Sequence, residues 1–156
     1  MQTMVGISKV RFLDTVVTLH VRHNEGAGGV SILESWAVYG DSPPLHVHRT
    51  EDESFYVLEG TLRLNVAGED LVLSTGESGL VPMGVPHTFR VESEEGARWL
   101  VITSQGDFER FVLALSSPAE EGAAPSSSGP PTEEQQHTLA TVAAAHGIDL
   151  VGPPLT

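Results

Sequence analysis

Cysteine is absent from all 156 residues, so disulfides, thiolate metal sites and cysteine nucleophiles are excluded together. A reducing compartment is thereby allowed, and the expected location is the cytoplasm. Lysine is almost absent: Lys9 is the only one, and 8 basic residues face 21 acidic ones, for a net charge of −13. Nucleic acid is bound by Lys and Arg that neutralise phosphates, so this balance argues against it as a partner. The acidity itself reads as solubility. No run of ~18 or more apolar residues occurs, which leaves no candidate for a membrane-spanning helix. The opening M-Q-T-M-V-G-I-S-K-V-R-F lacks the basic segment and long apolar run of a signal peptide. Little lysine beside abundant Ala, Gly and Pro is the usage of a GC-rich bacterial genome. The length fits one domain around a single core.

What is present, from residue 10 to about residue 103, is a succession of short runs rich in Val, Leu, Ile, Phe and Thr. They are punctuated by Gly, Pro, Asn and Asp, and the clearest cover 15–22, 30–39, 54–58, 62–66 and 99–103. Strands at this spacing, with no helical period between them, predict an all-β sandwich or barrel. Glu59-Gly60 and Ala67-Gly68-Glu69-Asp70 sit between such runs and read as hairpin signals.

The character changes after Gly106, which divides the chain into a barrel over 1–106 and a tail over 107–156. Phe108, Phe111, Val112 and Leu115 have helical spacing. The Pro- and Ser-rich stretch 117–131 reads as a flexible linker. T-E-E-Q from Thr132 offers a capping box with Gln135 for a second helix over 132–146, ending near Gly147. Its apolar stripe of Leu139, Val142 and Ala143 is too thin to fold alone, so the helix is expected to dock on the barrel or on a second copy.

The chemistry concentrates in G-D-S-P-P-L-H-V-H-R-T-E-D-E-S-F-Y-V-L-E-G, from Gly40 to Gly60. His46 and His48, two apart on a strand, point to one face. Glu53 follows across a turn, and His87 closes a later Gly- and Pro-punctuated loop. These four can converge on one divalent metal, and a nitrogen and oxygen donor set without sulfur suits iron, nickel, manganese, cobalt, copper or zinc. Alternation from Glu53 puts Phe55 and Val57 on its side and Ser54 and Tyr56 on the other, which favours Glu53 as the inward acid. Glu51 and Asp52 read as a solvated turn and Arg49 as surface. Phe55, Val57, Leu62, Leu64, Phe89 and Val91 are expected on the ligand face, and those nearest the metal line an apolar substrate pocket. Trp36 is either a stacking platform in that pocket or a core filler. His20, His23, His137 and His146 are assigned no metal role.

These two segments resemble the two motifs of the cupin superfamily. Gly40, His46, His48, Glu53 and Gly60 match the first in full, and Gly76, Pro82, Gly84 and His87 match the second. Val91 stands where the family often has Asn, a position that is not a ligand. The resemblance implies a jelly-roll β-barrel, the double-stranded β-helix of cupins, with one metal ion held by His46, His48, Glu53 and His87. Among cupins the chain resembles single-domain proteins of the quercetin 2,3-dioxygenase type. That likeness implies a dioxygenase for an aromatic or enolisable, flavonol-like substrate, whose oxygen binds the metal while Glu53 removes its proton. Cupins also include cyclases and isomerases that use a metal without redox chemistry, and small-ligand-binding barrels, so these remain alternatives. Pairing of such cupins through their sheets implies a homodimer.

Overall fold

The computed structural model describes residues 8–156; the signal-peptide reading and the first residues of the 1–106 segment rest on positions outside that range. Ten strands come first: β1 (Ser8–Phe12), β2 (Thr15–Val21), β3 (Ser31–Ala37), β4 (Leu45–His48), β5 (Glu53–Glu59), β6 (Thr61–Val66), β7 (Glu69–Ser74), β8 (Ser78–Val81), β9 (His87–Val91) and β10 (Ala97–Thr103). Helix α1 (Asp107–Ala114), strand β11 (Ser116–Pro118), helix α2 (Glu133–Ala145) and strand β12 (Ile148–Gly152) follow. They form two antiparallel sheets, β11-β1-β2-β3-β10-β5-β8 and β12-β4-β9-β6-β7, packed as a jelly-roll barrel. No described helix is long and apolar enough to cross a membrane.

Alternation sets the register. In β3, β5 and β10, Leu33, Phe55, Val57, Trp99 and Val101 are buried while Glu34, Tyr56 and Arg98 face outward. Each such buried apolar side chain contributes about 1.5–3 kcal/mol relative to exposure, and a one-residue slip would turn a strand's whole set outward. One core cluster, with Phe55, Val57, Leu62, Leu64, Val91 and Trp99, fills the barrel, and a second joins β1 to β3 with the helices.

The turns separate two cases that look alike in sequence. Ala67 and Gly68 both have positive φ, 51° and 86°, and close the β6–β7 hairpin with the twist that two-residue loops need. Glu59-Gly60 is not a hairpin: β5 pairs with β10 and β8, whereas β6 pairs with β7 and β9, so the chain changes sheets at Gly60. A Cβ on Gly60, whose φ is +83°, would lie 2.5 Å from the Gly96 carbonyl oxygen, so only glycine fits this corner.

The tail is woven into both sheets. Ser117 and Pro118 lie opposite Arg11 and Val10 of β1, where composition alone suggests linker. Further along, Ser126 N–H donates to the Asp14 carbonyl, and the Ser128 N–H and hydroxyl donate to the Asp14 carboxylate. Composition reports regular-structure propensity, not partners supplied by a distant turn. Thr132 and Gln135 form the reciprocal capping box of α2. Its Ala143 is fully buried in the second cluster, with Leu139 and Val142 beside it.

Candidate metal centre

His46 and His48 leave the same face of β4, and β9 runs alongside with His87 directly opposite His46. Glu53 starts β5 in the other sheet, between Val81 of β8 and Thr103 of β10, so its carboxylate meets the three imidazoles across the barrel interior. Ring centroids lie 4.3 Å apart for His46 and His87, 5.2 Å for His46 and His48, and 5.2 Å for His48 and His87. One ligand atom from each of the four residues falls within 4.8 Å of the others. His48, Glu53 and His87 are buried and His46 is half-buried.

Hydrogen bonding fixes which nitrogens face the centre. A carbonyl oxygen only accepts, so His46 Nδ1–H donates to Pro44 O at 2.7 Å and His87 Nδ1–H donates to Val85 O at 3.0 Å. In the neutral rings this leaves the Nε2 lone pairs aimed inward, the arrangement that orients metal-bound histidines. His48 Nε2 is buried without a hydrogen-bond partner among the described residues. Glu53 Oε2 lies 2.7 Å from His87 Nε2 and 3.1 Å from His48 Nε2. At His87, whose Nδ1 carries the hydrogen, a carboxylate oxygen 2.7 Å from Nε2 requires a cation between them, either a proton or a metal ion. The inward nitrogens of the three imidazoles and the Glu53 carboxylate are close enough together to hold a divalent ion.

Burial, and after it the neighbouring His87, lower His46 to about 4. Burial would raise Glu53, but the His48 charge and the close contacts with His48 and His87 outweigh it and hold the carboxyl well below its usual range. Burial would lower His48, yet Glu53 dominates and raises it.

Of the expected pocket residues, Phe55, Val57, Leu64 and Val91 are fully buried in the barrel cluster, and Phe89 packs against it. Phe55 is the one whose ring stands beside a ligand, 6.5 Å from His87, and Phe89 stacks edge-on against Phe55 and Trp99. Trp36 is not in this interior. It sits on the outer face of β3, with the Arg98 guanidinium 3.8 Å from its ring centroid. The interior tryptophan is Trp99, and the alternation Trp99, Val101, Thr103 in β10 is the signal that marks it.

Glu51 corrects a second expectation. Instead of lying in a solvated turn it is 1% exposed, and accepts hydrogen bonds from the backbone N–H groups of Asp107 and Phe108 at the start of α1. Gly106, the N-cap, supplies no side chain, so Glu51 caps the helix from a distance. The helix then places the Phe108 ring 5.8 Å from that of His48. Asp52 is exposed and accepts from Met83 N–H. Burial raises the Glu51 carboxyl against its bonds from Asp107 and Phe108, so the cap rather than the charge is what it contributes. Glu51→Ala should lower stability by about 0.5–2 kcal/mol in urea unfolding, the range for a lost helix cap; an unchanged midpoint would remove this role.

An antiparallel jelly roll that gathers three imidazoles and a carboxylate between its sheets is the architecture of a metal-site β-barrel. Residues 35–103 match the cupin domain family, which supports membership of the cupin superfamily. Over 79 residues, 51% of this chain, it is 34% identical to a quercetin 2,3-dioxygenase from Bacillus subtilis; the match spans 23% of that relative's length. Two solved structures share the fold. A predicted oxalate decarboxylase from Thermotoga maritima superposes with a TM-score of 0.60 at 17% identity, over 67% of this chain and 99% of that one. The polyketide cyclase RemF from Streptomyces resistomycificus superposes with a TM-score of 0.55 at 23% identity, over 66% and 78%.

Proposed function

We propose that the chain is a metal-dependent cupin dioxygenase acting on an aromatic or enolisable, flavonol-like small molecule. His46, His48, Glu53 and His87 are its metal ligands, and Glu53 is also its base. The observation that carries this reading is the position of Glu53: a buried carboxyl facing three imidazoles and standing on the same strand face as Phe55. The 34% identity to quercetin 2,3-dioxygenase over 79 residues supports the substrate class. A bound iron, nickel, manganese, cobalt or copper ion would supply Lewis acidity and redox capacity, and zinc Lewis acidity alone.

The chain's own residues then divide the work. The carbonyls of Pro44 and Val85 fix the rings of His46 and His87, so both present Nε2. Glu53, held ionised by its neighbours, accepts the proton of a substrate enol or phenol through Oε2. Phe55 offers an apolar edge to the substrate ring. The homodimer is part of this reading: Tyr56 and Leu80, exposed on the neighbouring strands β5 and β8, give a second copy an apolar surface.

Oxygen uptake by metal-loaded protein with a flavonol tests the reading. Glu53→Gln should lower kcat by about 100-fold or more, the scale of a lost general base, with metal content measured in parallel. Full activity in that variant would sink the assignment. Turnover with zinc and without oxygen consumption would move the protein to the cyclase and isomerase class, and tight binding without product to the ligand-binding barrels.

A further inference from the structure

β4 carries two of the three imidazoles, yet it is four residues long and its register with β9 is a single pair, His46 opposite His87. Its other edge is covered by β12. Ile148 lies opposite His48, Asp149 opposite Val47, Leu150 opposite His46 and Gly152 opposite Leu45. Each ligand histidine on β4 thus faces a residue of the tail strand, and Leu45 N–H donates to Pro153 O at 3.2 Å just beyond it.

The joint is locked beside His48. Arg49 N–H donates to Gly147 O at 2.8 Å. One guanidinium nitrogen donates to Ala144 O at 3.0 Å, among the last carbonyls of α2, where helix acceptors lack intrahelical partners. Another pairs with the Asp149 carboxylate. Gly147 makes the turn from α2 into β12 with φ +77°, and a Cβ there would lie 3.0 Å from Thr50 Oγ1. Left-handed backbone and close approach both call for glycine.

We propose that β12 is a working part of the metal centre: Arg49 and Gly147 are positioning residues that hold the tail strand against β4 and so place the imidazoles of His46 and His48. The inference rests on the metal-site reading above. A short strand with one ladder pair and the Gly84 N–H bond to His48 O on that side still depends on its other edge for its side-chain directions, and partners outside the ligand shell commonly govern metal affinity by 10–100-fold.

The test is Co2+ titration of the full-length protein, followed through the visible absorption bands, which report coordination geometry. Arg49→Met and Gly147→Ala approach the joint from its two sides. Asp14→Ala, which unties the linker from the β1–β2 turn, is the control. Both joint variants should bind Co2+ about 10-fold or more weakly and shift its bands. Arg49→Lys, with one charge but no fork for two acceptors, should recover part of the loss. The control should match wild type in affinity and spectrum. Wild-type affinity and spectrum in both joint variants would overturn the proposal alone, as would equal losses in Asp14→Ala at matched metal-free melting temperature. A wild-type protein that takes up no Co2+ would overturn the metal-site reading and this proposal with it.

Discussion

Replacing His87 with alanine is expected to take the metal content of the purified protein from near one equivalent to near zero. Plasma mass spectrometry on untagged protein prepared without chelator is the measurement. His87 is 1% exposed, lies directly opposite His46, and has its Nδ1–H committed to Val85 O, so its other nitrogen serves the centre. Its Nε2 is also the nearest imidazole nitrogen to Glu53, at 2.7 Å, against 3.1 Å for His48. The substitution therefore removes a donor and leaves Glu53 with a weaker hold. Outer partners of metal ligands are worth 10–100-fold, so loss of a ligand should exceed about 100-fold in affinity. A variant that keeps its full metal complement would place the ion elsewhere. The identity of the metal bound to wild type directs the next assay: a redox metal leads to oxygen uptake, zinc to cyclase or isomerase substrates.

Glu109→Ala should produce the largest loss of stability, about 3 kcal/mol at neutral pH, the lower end for a buried charge pair broken from one side. The Glu109 side chain is 0% exposed and sits on α1. It accepts from the His23 N–H at 2.9 Å and from His23 Nδ1, and pairs with Arg22, residues that follow β2. Alanine would strand a backbone donor and a guanidinium. Arg22 is partly exposed, which keeps the estimate low in the range. Burial would raise the Glu109 carboxyl, but the His23 and Arg22 contacts outweigh it and lower the pKa. A group depressed in the folded state contributes stability above its unfolded value, about 4.3, and loses it as pH falls through the folded one. The gap between wild type and variant in urea unfolding should therefore be full at pH 7 and shrink at acid pH, below the unfolded value. A gap that is small at pH 7, or that widens on acidification, would contradict this account.

How far the sequence could be read depended on whether the relevant partners were near in the chain. His46 and His48 disclose their common face through spacing of two, and Phe55 and Val57 share the side of Glu53 by the same alternation. Trp36 obeys alternation as well, but which face of β3 is inward is set by its pairing with β10, where Trp36 lies opposite Arg98. That partnership carries no local signal. Glu51 looked like one of three acids in a turn because the helix it caps begins 56 residues later. Gly60 carried a turn signal that was correct for backbone and silent on whether the chain turned back or crossed to the other sheet. β12 escaped because five residues after a glycine stop carry too little pattern to announce a strand; Arg49, exposed as the surface reading has it, pairs with its Asp149.

The pairing of β4 with β12 also has a consequence in time. Arg49 and Asp149 are 100 residues apart, and a ribosome at roughly 5–20 residues per second delivers the second about 5–20 seconds after the first. Throughout that interval the histidine strand is a nascent edge without its neighbour, open to mispairing with any strand that arrives earlier. The acidic, lysine-poor chain must reach its mature geometry by a late, long-range closure rather than by adding finished pieces in order. Slow translation of the segment between β4 and β12 would lengthen the vulnerable interval, whereas a pause upstream of β4 would leave it unchanged.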